Sequence, residues 1–144
     1  MGIYLDYNAS APVDERVLEK MVSVYKNTFG NSDSRTHDFG EGARQVVEFA
    51  RGQVAHLLGV SSSEVFFTSG STESNNIAIR GLIEYAQETG KRHVITSAIE
   101  HKAVLETVKS LEKEGFAVDI VTPEKEGRVS TKKIAELLRE DTLL

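Results

Sequence analysis

The second half of the chain alternates strand-like and helix-like segments, and this rhythm constrains the fold more than any other feature. The apolar runs VFFTS, HVITS and FAVDIV are separated and followed by helical patterns at about 72 to 88, 102 to 114 and 131 to 140. Strands that alternate with helices of this length favour right-handed βαβ crossovers and a largely parallel sheet. The sequence therefore predicts an α/β fold.

The first half of the chain predicts two amphipathic helices. Pro12 and Asp14 begin the first pattern, which ends at Gly30 and has one apolar stripe: Val13, Val17, Met21 and Val24. A second set runs from Ala43 to Leu58, where Gly59 provides a stop signal. We expect both apolar stripes to lie in the core.

The last residues of the chain, REDTLL, read as the start of another strand at Leu143 and Leu144. A sheet that stopped there would leave an apolar edge, which natural domains avoid. There is no internal repeat and no long linker, so we expect a single domain. The favoured interpretation is a fragment of a longer protein, or a chain whose core a partner completes.

Composition excludes several classes of function. Acidic residues outnumber basic ones by 22 to 17, for a formal net charge of -5, and no dense basic run offers a surface for nucleic acid. The absence of cysteine excludes a disulfide framework, a cysteine-type zinc site and a thiol nucleophile within these residues. The histidines show no metal-binding spacing, so we expect no metal site. Without a signal peptide or membrane-spanning run, a cytoplasmic protein is expected.

The turn TSGSTES is the first candidate site. A strand predicted to end near Ser69 is followed by Gly70, which permits a sharp turn, and by Ser71 and Thr72 where a helix begins. Free N–H groups and the positive end of the helix dipole would suit an anion, most plausibly phosphate. Capping of the helix by Ser71 or Thr72, with Glu73 complementing the dipole, is the alternative.

Two further candidates are His101 and the loop GNSDSRTHDFG. His101 follows the strand HVITS as Ser71 follows VFFTS, and ligands of open α/β sheets gather along that carboxyl edge. A histidine that bonds locally at a helix start remains the alternative. In the loop, binding or simple exposure to solvent is open for Arg35 and His37.

Four segments in order, YLDYNASAPVDERV, FGNSDSRTHDFG, VFFTSGSTESNNIAI and HVITSAIEHKAVL, resemble the N-terminal part of cysteine desulfurases. These are the NifS/IscS-like members of the class V aminotransferases, which are fold type I pyridoxal-phosphate enzymes. The resemblance implies a three-layer, mostly parallel sheet that is cut mid-sheet. Residues 1–13 would form an N-terminal arm, and residues 14–144 the first half of the large cofactor-binding domain.

The resemblance also implies roles for individual residues. Ser71 and Thr72, in the turn made by Gly70, match the residues that hold the phosphate of pyridoxal 5'-phosphate. His101 matches a histidine that stacks on the pyridine ring and assists proton transfer. The segments around Asn8 to Ala11 and Ser34 to His37 match loops near the mouth of the active site.

By resemblance, the enzyme converts L-cysteine to L-alanine and passes sulfur on as a persulfide for iron–sulfur clusters or tRNA. A homodimer and a sulfur-acceptor or scaffold protein are the implied partners, without nucleic acid or membrane. A selenocysteine lyase, a class V aminotransferase or a non-catalytic binding module remain alternatives.

This chain departs from the family pattern in two ways. Ser71 replaces the usual Ala or Cys, Ser10 and Ala11 replace two threonines, and Ser32 replaces a proline. In addition, the lysine that binds the cofactor and the mobile cysteine belong to family segments beyond position 144. We therefore expect the isolated chain to be inactive.

Overall fold

The structure is a computed structural model that describes residues 2–144. The chain divides into two compact units, one ending at Phe66 and one comprising Phe67–Leu144. No helix in the described part of the chain is both long and apolar enough to cross a membrane.

The first unit contains the two predicted helices. Helix α1 spans Glu15–Asn27 with Asp14 as its N-cap, and α2 spans Asp38–Leu58 and ends at Gly59, whose φ of 68° is left-handed. A short 3-10 turn follows at Ser62–Glu64. Both helices are confirmed, and α2 begins earlier than the apolar pattern suggested because His37 caps it.

The expectation that both apolar stripes lie in the core is wrong for α1. This helix buries none of its residues, and Val17 and Met21 are 51% and 44% exposed. Helix α2 does bury part of its stripe, at Ala43 and Ala55. The periodicity therefore identified the helix correctly, but an apolar face does not by itself supply a covering element.

The second unit is built on a parallel sheet. It contains α3 (Ser71–Arg80), α4 (Ile83–Thr89), β1 (His93–Ser97), α5 (Lys102–Ser110), β2 (Ala117–Val121) and α6 (Thr131–Leu137). Strands β1 and β2 pair in parallel with His93 opposite Ala117, and α5 is the connection between them. This arrangement confirms the predicted α/β fold.

A third segment pairs with β1 on the side away from β2. Thr142 forms a parallel bridge with His93, the N–H of Leu143 donates to the His93 carbonyl at 2.8 Å, and the N–H of Ile95 donates to Leu144 at 2.9 Å. The prediction that Leu143 and Leu144 begin a strand is therefore supported, and β1 lies between two neighbours.

Two predicted elements differ in the structure. The run VFFTS is not a strand, because residues 65–69 find no hydrogen-bonded neighbour strand within residues 2–144, and Phe66 is 77% exposed. The helix predicted over about 72 to 88 is two helices, with Gly81 and Leu82 between α3 and α4. A side chain at Gly81 would approach the Ile77 carbonyl oxygen to 2.6 Å.

The core of the second unit fixes α3 and α5 side by side. It consists of a buried cluster from α3, α4, β1, α5 and the residues around the second strand: Ile79, Ala86, Val94, Val108, Leu111 and Phe116. At the carboxyl ends of the two helices, Arg80 donates to the Ser110 hydroxyl at 3.1 Å and to Glu114 at 2.7 Å.

Helices α3 and α5 run in the same direction. Asn75 and Val104 line one cavity, Ile79 and Val108 share the core, and Arg80 contacts Ser110, so successive positions of one helix meet successive positions of the other. The two helices therefore begin at the same end of the pair.

Candidate functional site

The start of α3 is an open helix terminus, because none of the residues 2–144 caps it with a side chain. Its N-cap is Gly70, with φ 159° and ψ 178°. Among the described residues, apart from the two chain neighbours of Gly70, no atom lies within 4 Å of the position that a Cβ on Gly70 would take. Ser71 and Thr72 are exposed at this end.

Several donors at this terminus have no acceptor. Within residues 2–144, no oxygen accepts the backbone N–H of Gly70, Ser71 or Thr72, and the hydroxyls of Ser71 and Thr72 have no partner. The first N–H bonded into the turn is that of Ser74, which donates to the Gly70 carbonyl at 3.1 Å. The alternative in which Ser71 or Thr72 caps the helix is therefore wrong, and the terminus offers donors and a positive dipole to an anion.

Two side chains, those of Glu73 and Thr68, hold the turn at this terminus through four hydrogen bonds. Glu73 Oε2 accepts the backbone N–H of Ser69 at 2.6 Å and its hydroxyl at 2.7 Å. Thr68 donates to the Gly70 carbonyl at 3.2 Å and shares a hydrogen bond with the Ser74 hydroxyl at 2.7 Å. The turn is therefore fixed by side chains that leave the donors of Ser71 and Thr72 free.

Glu73 is the residue whose role the sequence reasoning missed. The sequence predicts only a general interaction of Glu73 with the helix dipole, whereas its carboxylate accepts two specific hydrogen bonds from Ser69. The backbone and hydroxyl bonds from Ser69 hold the pKa of Glu73 below its ordinary value. A glutamate three residues after the helix N-cap is the spacing of a capping box, and this signal was present in the sequence.

His101 lies at the start of α5, where its ring makes a local hydrogen bond to the helix, as the alternative interpretation predicts. It is the N-cap, and its Nδ1 accepts the backbone N–H of Ala103 at 3.1 Å. Because Nδ1 acts as an acceptor, the proton of the neutral ring lies on Nε2. The side chain is exposed, so this capping contact leaves the Nε2 edge accessible.

His101 and Thr72 lie at the same end of the helix pair, since α3 and α5 run in the same direction and both begin there. Glu100, the neighbour of His101, accepts a hydrogen bond from Ser97 at the carboxyl end of β1 at 2.8 Å. An open helix start and an imidazole therefore lie at the same end of one pair of helices, and the imidazole also follows the carboxyl end of β1.

The loop of the first unit is ordered by its own hydrogen bonds. Arg44 donates to the carbonyls of Ser32 at 3.2 Å and Ser34 at 2.7 Å. His37 Nδ1 accepts the N–H of Gly40 at 3.1 Å, and its Nε2 lies 3.1 Å from the Ser34 hydroxyl. Arg35 is exposed. His37 is therefore a capping residue of α2.

A different histidine, His93, is buried at the centre of the sheet. Its Nδ1 lies 2.8 Å from the Thr142 hydroxyl and its Nε2 lies 3.0 Å from Asp119 Oδ2, so the ring links three neighbouring segments. No cluster of three or more metal-binding side chains occurs among residues 2–144.

The comparison with protein families identifies the chain. The family described as aminotransferase class-V matches residues 3–144. The chain belongs to the class-V aminotransferase family. The fold described above is therefore part of this family's α/β scaffold.

Named relatives are similar over the whole chain. This chain is 50% identical to cysteine desulfurase IscS of Haemophilus influenzae (strain PittGG) and 49% identical to cysteine desulfurase IscS of Klebsiella pneumoniae (strain 342). Both comparisons cover 100% of this chain. It spans only 36% of the length of each of these relatives.

Solved structures show the same similarity. A NifS-like protein matches with a TM-score of 0.88 and 45% identity, covering 99% of this chain and 39% of that protein. SspA in complex with cysteine matches with a TM-score of 0.84 and 42% identity, covering 97% of this chain and 40% of that one. DndA from Streptomyces lividans matches with a TM-score of 0.81 and 48% identity, covering 98% and 39%.

Proposed function

We propose that this chain is the phosphate-binding part of a pyridoxal-phosphate-dependent cysteine desulfurase, which converts L-cysteine to L-alanine and retains the sulfur as a persulfide. The observation that supports this most strongly is the 49–50% identity, along the entire chain, to proteins named cysteine desulfurase IscS. The cysteine complex of the similar SspA structure supports the same substrate.

The residues at the start of α3 fit the phosphate of pyridoxal 5'-phosphate. The N–H groups of Ser71 and Thr72 and their hydroxyls have no acceptor within residues 2–144, and the space beside Gly70 is open. A phosphate at a helix N-terminus gains hydrogen bonds from such groups and a favourable interaction with the dipole. We assign Gly70, Ser71 and Thr72 to this contact.

His101 is assigned the ring end of the cofactor. The bound cofactor supplies an electron sink, which stabilises negative charge on the substrate as it loses a proton. His101 would lie against the pyridine ring and hold or move a proton at Nε2, because Nδ1 is engaged by Ala103. Its location on the helix beside α3 suits this role.

The remaining steps need groups outside these 144 residues. The sequence contains no cysteine, so another segment or chain would carry the persulfide sulfur. We further propose a cytoplasmic homodimer that delivers sulfur to an acceptor or scaffold protein for iron–sulfur cluster assembly or tRNA thiolation.

The activity is tested by incubating the full-length enzyme that carries this sequence with L-cysteine and a thiol reductant. The proposal predicts sulfide and alanine in equal amounts. Amino transfer to a keto acid without sulfide would favour the alternative suggested by the family description, a class-V aminotransferase. Turnover of selenocysteine but not cysteine would identify a selenocysteine lyase instead.

A further inference from the structure

Helix α3 differs from a fully capped terminus in one informative way. In the 3-10 turn of the first unit, Ser61 caps with its side chain while Glu64 Oε2 accepts the Ser61 N–H at 2.8 Å, which completes a capping box. In α3, glycine occupies the capping position, and the glutamate at the equivalent position, Glu73, bonds Ser69 instead.

This difference separates two functions that a capping box combines. Glu73 fixes the chain before the helix, as the glutamate of a capping box does, but no side chain in the described part of the chain accepts the N–H groups of Ser71 and Thr72. The carboxylate of Glu73 thus orders the turn through Ser69, which precedes the helix. The N–H groups of Ser71 and Thr72 remain available to a ligand.

We propose that Glu73 is a positioning residue for the phosphate site: its carboxylate holds Ser69 so that the N–H groups of Gly70, Ser71 and Thr72 are preorganised for the phosphate. This inference rests on the proposed function and extends it to a residue that need not touch the cofactor. Preorganisation matters here because Gly70 has no side chain to restrict its backbone, and ordering it on binding would cost affinity.

The charge of Glu73 makes the proposal testable, because losing the charge and losing the Ser69 bonds should change the phosphate affinity in opposite directions. A carboxylate near a phosphate repels it, so removal of the charge alone would strengthen phosphate binding. Loss of the two Ser69 bonds would weaken it. Glu73→Gln removes the charge but keeps a carbonyl oxygen that can accept both bonds, whereas Glu73→Ala removes both.

The probe is pyridoxamine 5'-phosphate, which has no aldehyde and therefore forms no imine with surface lysines. Its affinity for the 144-residue chain is measured by fluorescence titration, with inorganic phosphate as a second probe and circular dichroism as the check on folding. We expect Glu73→Ala to weaken binding by about three- to tenfold. Glu73→Gln should bind at least as tightly as the unchanged chain.

Two further variants complete the experiment. Glu84→Ala removes an exposed acidic residue from the first turn of α4 and should leave the affinity unchanged. Ser69→Ala keeps the backbone bond to Glu73 and loses the hydroxyl bond, so its affinity should lie between those of the unchanged chain and Glu73→Ala. If Glu73→Ala does not fold, weaker binding by Ser69→Ala than by Glu73→Gln supports the proposal, and the reverse order overturns it.

The outcomes separate this inference from the proposed function. If the unchanged chain binds the probe and Glu73→Ala binds it equally well or more tightly, Glu73 is not a positioning residue, while the phosphate site stands. If the unchanged chain binds neither pyridoxamine 5'-phosphate nor inorganic phosphate, the phosphate site is wrong and the role of Glu73 falls with it.

Discussion

Helices α3 and α5 begin at the same end of one packed pair, yet their first turns are built differently. At α5, the imidazole of His101 takes the N–H of Ala103. At α3, Gly70 provides no cap, and the N–H groups of Ser71 and Thr72 have no acceptor within residues 2–144. One terminus is closed by its own side chain and the other is open.

This difference indicates where an anion can bind and where it cannot. A closed terminus has already used part of its hydrogen-bonding capacity, whereas an open one keeps donors and dipole for a ligand. The same comparison gives His101 two simultaneous functions, because capping through Nδ1 fixes the ring and leaves Nε2 for chemistry.

The largest effect is expected at His101 in the full-length enzyme. Both His101→Ala and His101→Asn should lower the turnover of cysteine by about 10²- to 10⁴-fold, because each removes the proton-transferring ring. Only His101→Ala should also lose the cap, at a cost of about 1 kcal/mol in unfolding free energy, since asparagine is a good N-cap. Turnover and urea unfolding measured on both variants check this prediction. Normal turnover by His101→Asn would show that His101 only caps α5 and does not take part in the reaction.

The next effect concerns the backbone donor of Ser71. Ser71→Pro removes the N–H at the first helical position, where proline is well tolerated, so the helix should persist. The affinity for pyridoxamine 5'-phosphate should fall by about tenfold or more, the worth of one hydrogen bond to a charged group. Lys102→Pro, the same change at the first position of α5, is the matched control and should leave the affinity unchanged.

The hydroxyl of Thr72 should contribute separately from the backbone. Thr72→Ala is expected to weaken cofactor binding by about 1.5 to 3 kcal/mol in the full-length enzyme, at the lower end if solvent replaces the lost bond. Thr131→Ala, at the exposed first position of α6, serves as the control in the same titration. If Thr72→Ala and the unchanged enzyme bind the cofactor equally well, the Thr72 hydroxyl does not contribute and only backbone N–H groups bind the phosphate.

The smallest effect is the pH dependence of stability contributed by Glu73. The bonds from Ser69 hold the pKa of Glu73 below its ordinary value of 4.5 in the folded chain. The ionised Glu73 therefore contributes fully to the stability of the folded chain above about pH 4.5. This contribution is lost as the pH falls through the lowered pKa of Glu73 in the folded chain.

This contribution is measured as a difference between two proteins. Asp14 and Asp141 also have lowered pKa values, each because of a neighbouring arginine, so the unchanged chain alone would not isolate Glu73. Thermal unfolding of the unchanged chain and of Glu73→Gln should converge as the pH falls below 4.5. Parallel curves at all pH values would contradict the proposed bonds.

The alternation of strands and helices predicted most of the second unit, because the apolar pattern of β1, α5 and β2 reflects the periodicity of each element itself. It could not predict that VFFTS forms no strand within residues 2–144, since a strand needs a neighbouring strand and periodicity says nothing about which neighbour is present. The exposed stripe of α1 was missed for the same reason.

The helix starts at Ser71 and His101 were predictable from the sequence, but their hydrogen bonds were not. The sequence places both residues after apolar runs, although only the run before His101 forms a strand within residues 2–144. Whether a hydroxyl at a helix start caps it depends on the backbone one residue earlier, and Gly70 moves the cap away from Ser71 and Thr72. The contact of Glu73 with Ser69 depends on the same turn.

The most direct test of the open terminus is the response of individual backbone amides to phosphate. When the ¹⁵N-labelled 144-residue chain is titrated with pyridoxamine 5'-phosphate, the amide resonances of Ser71 and Thr72 should shift. Titration with pyridoxamine, which lacks the phosphate, should not shift them. The amides of Lys102 and Ala103, at the closed start of α5, should move far less. Equal shifts at both helix starts, or none at Ser71 and Thr72, would contradict the account.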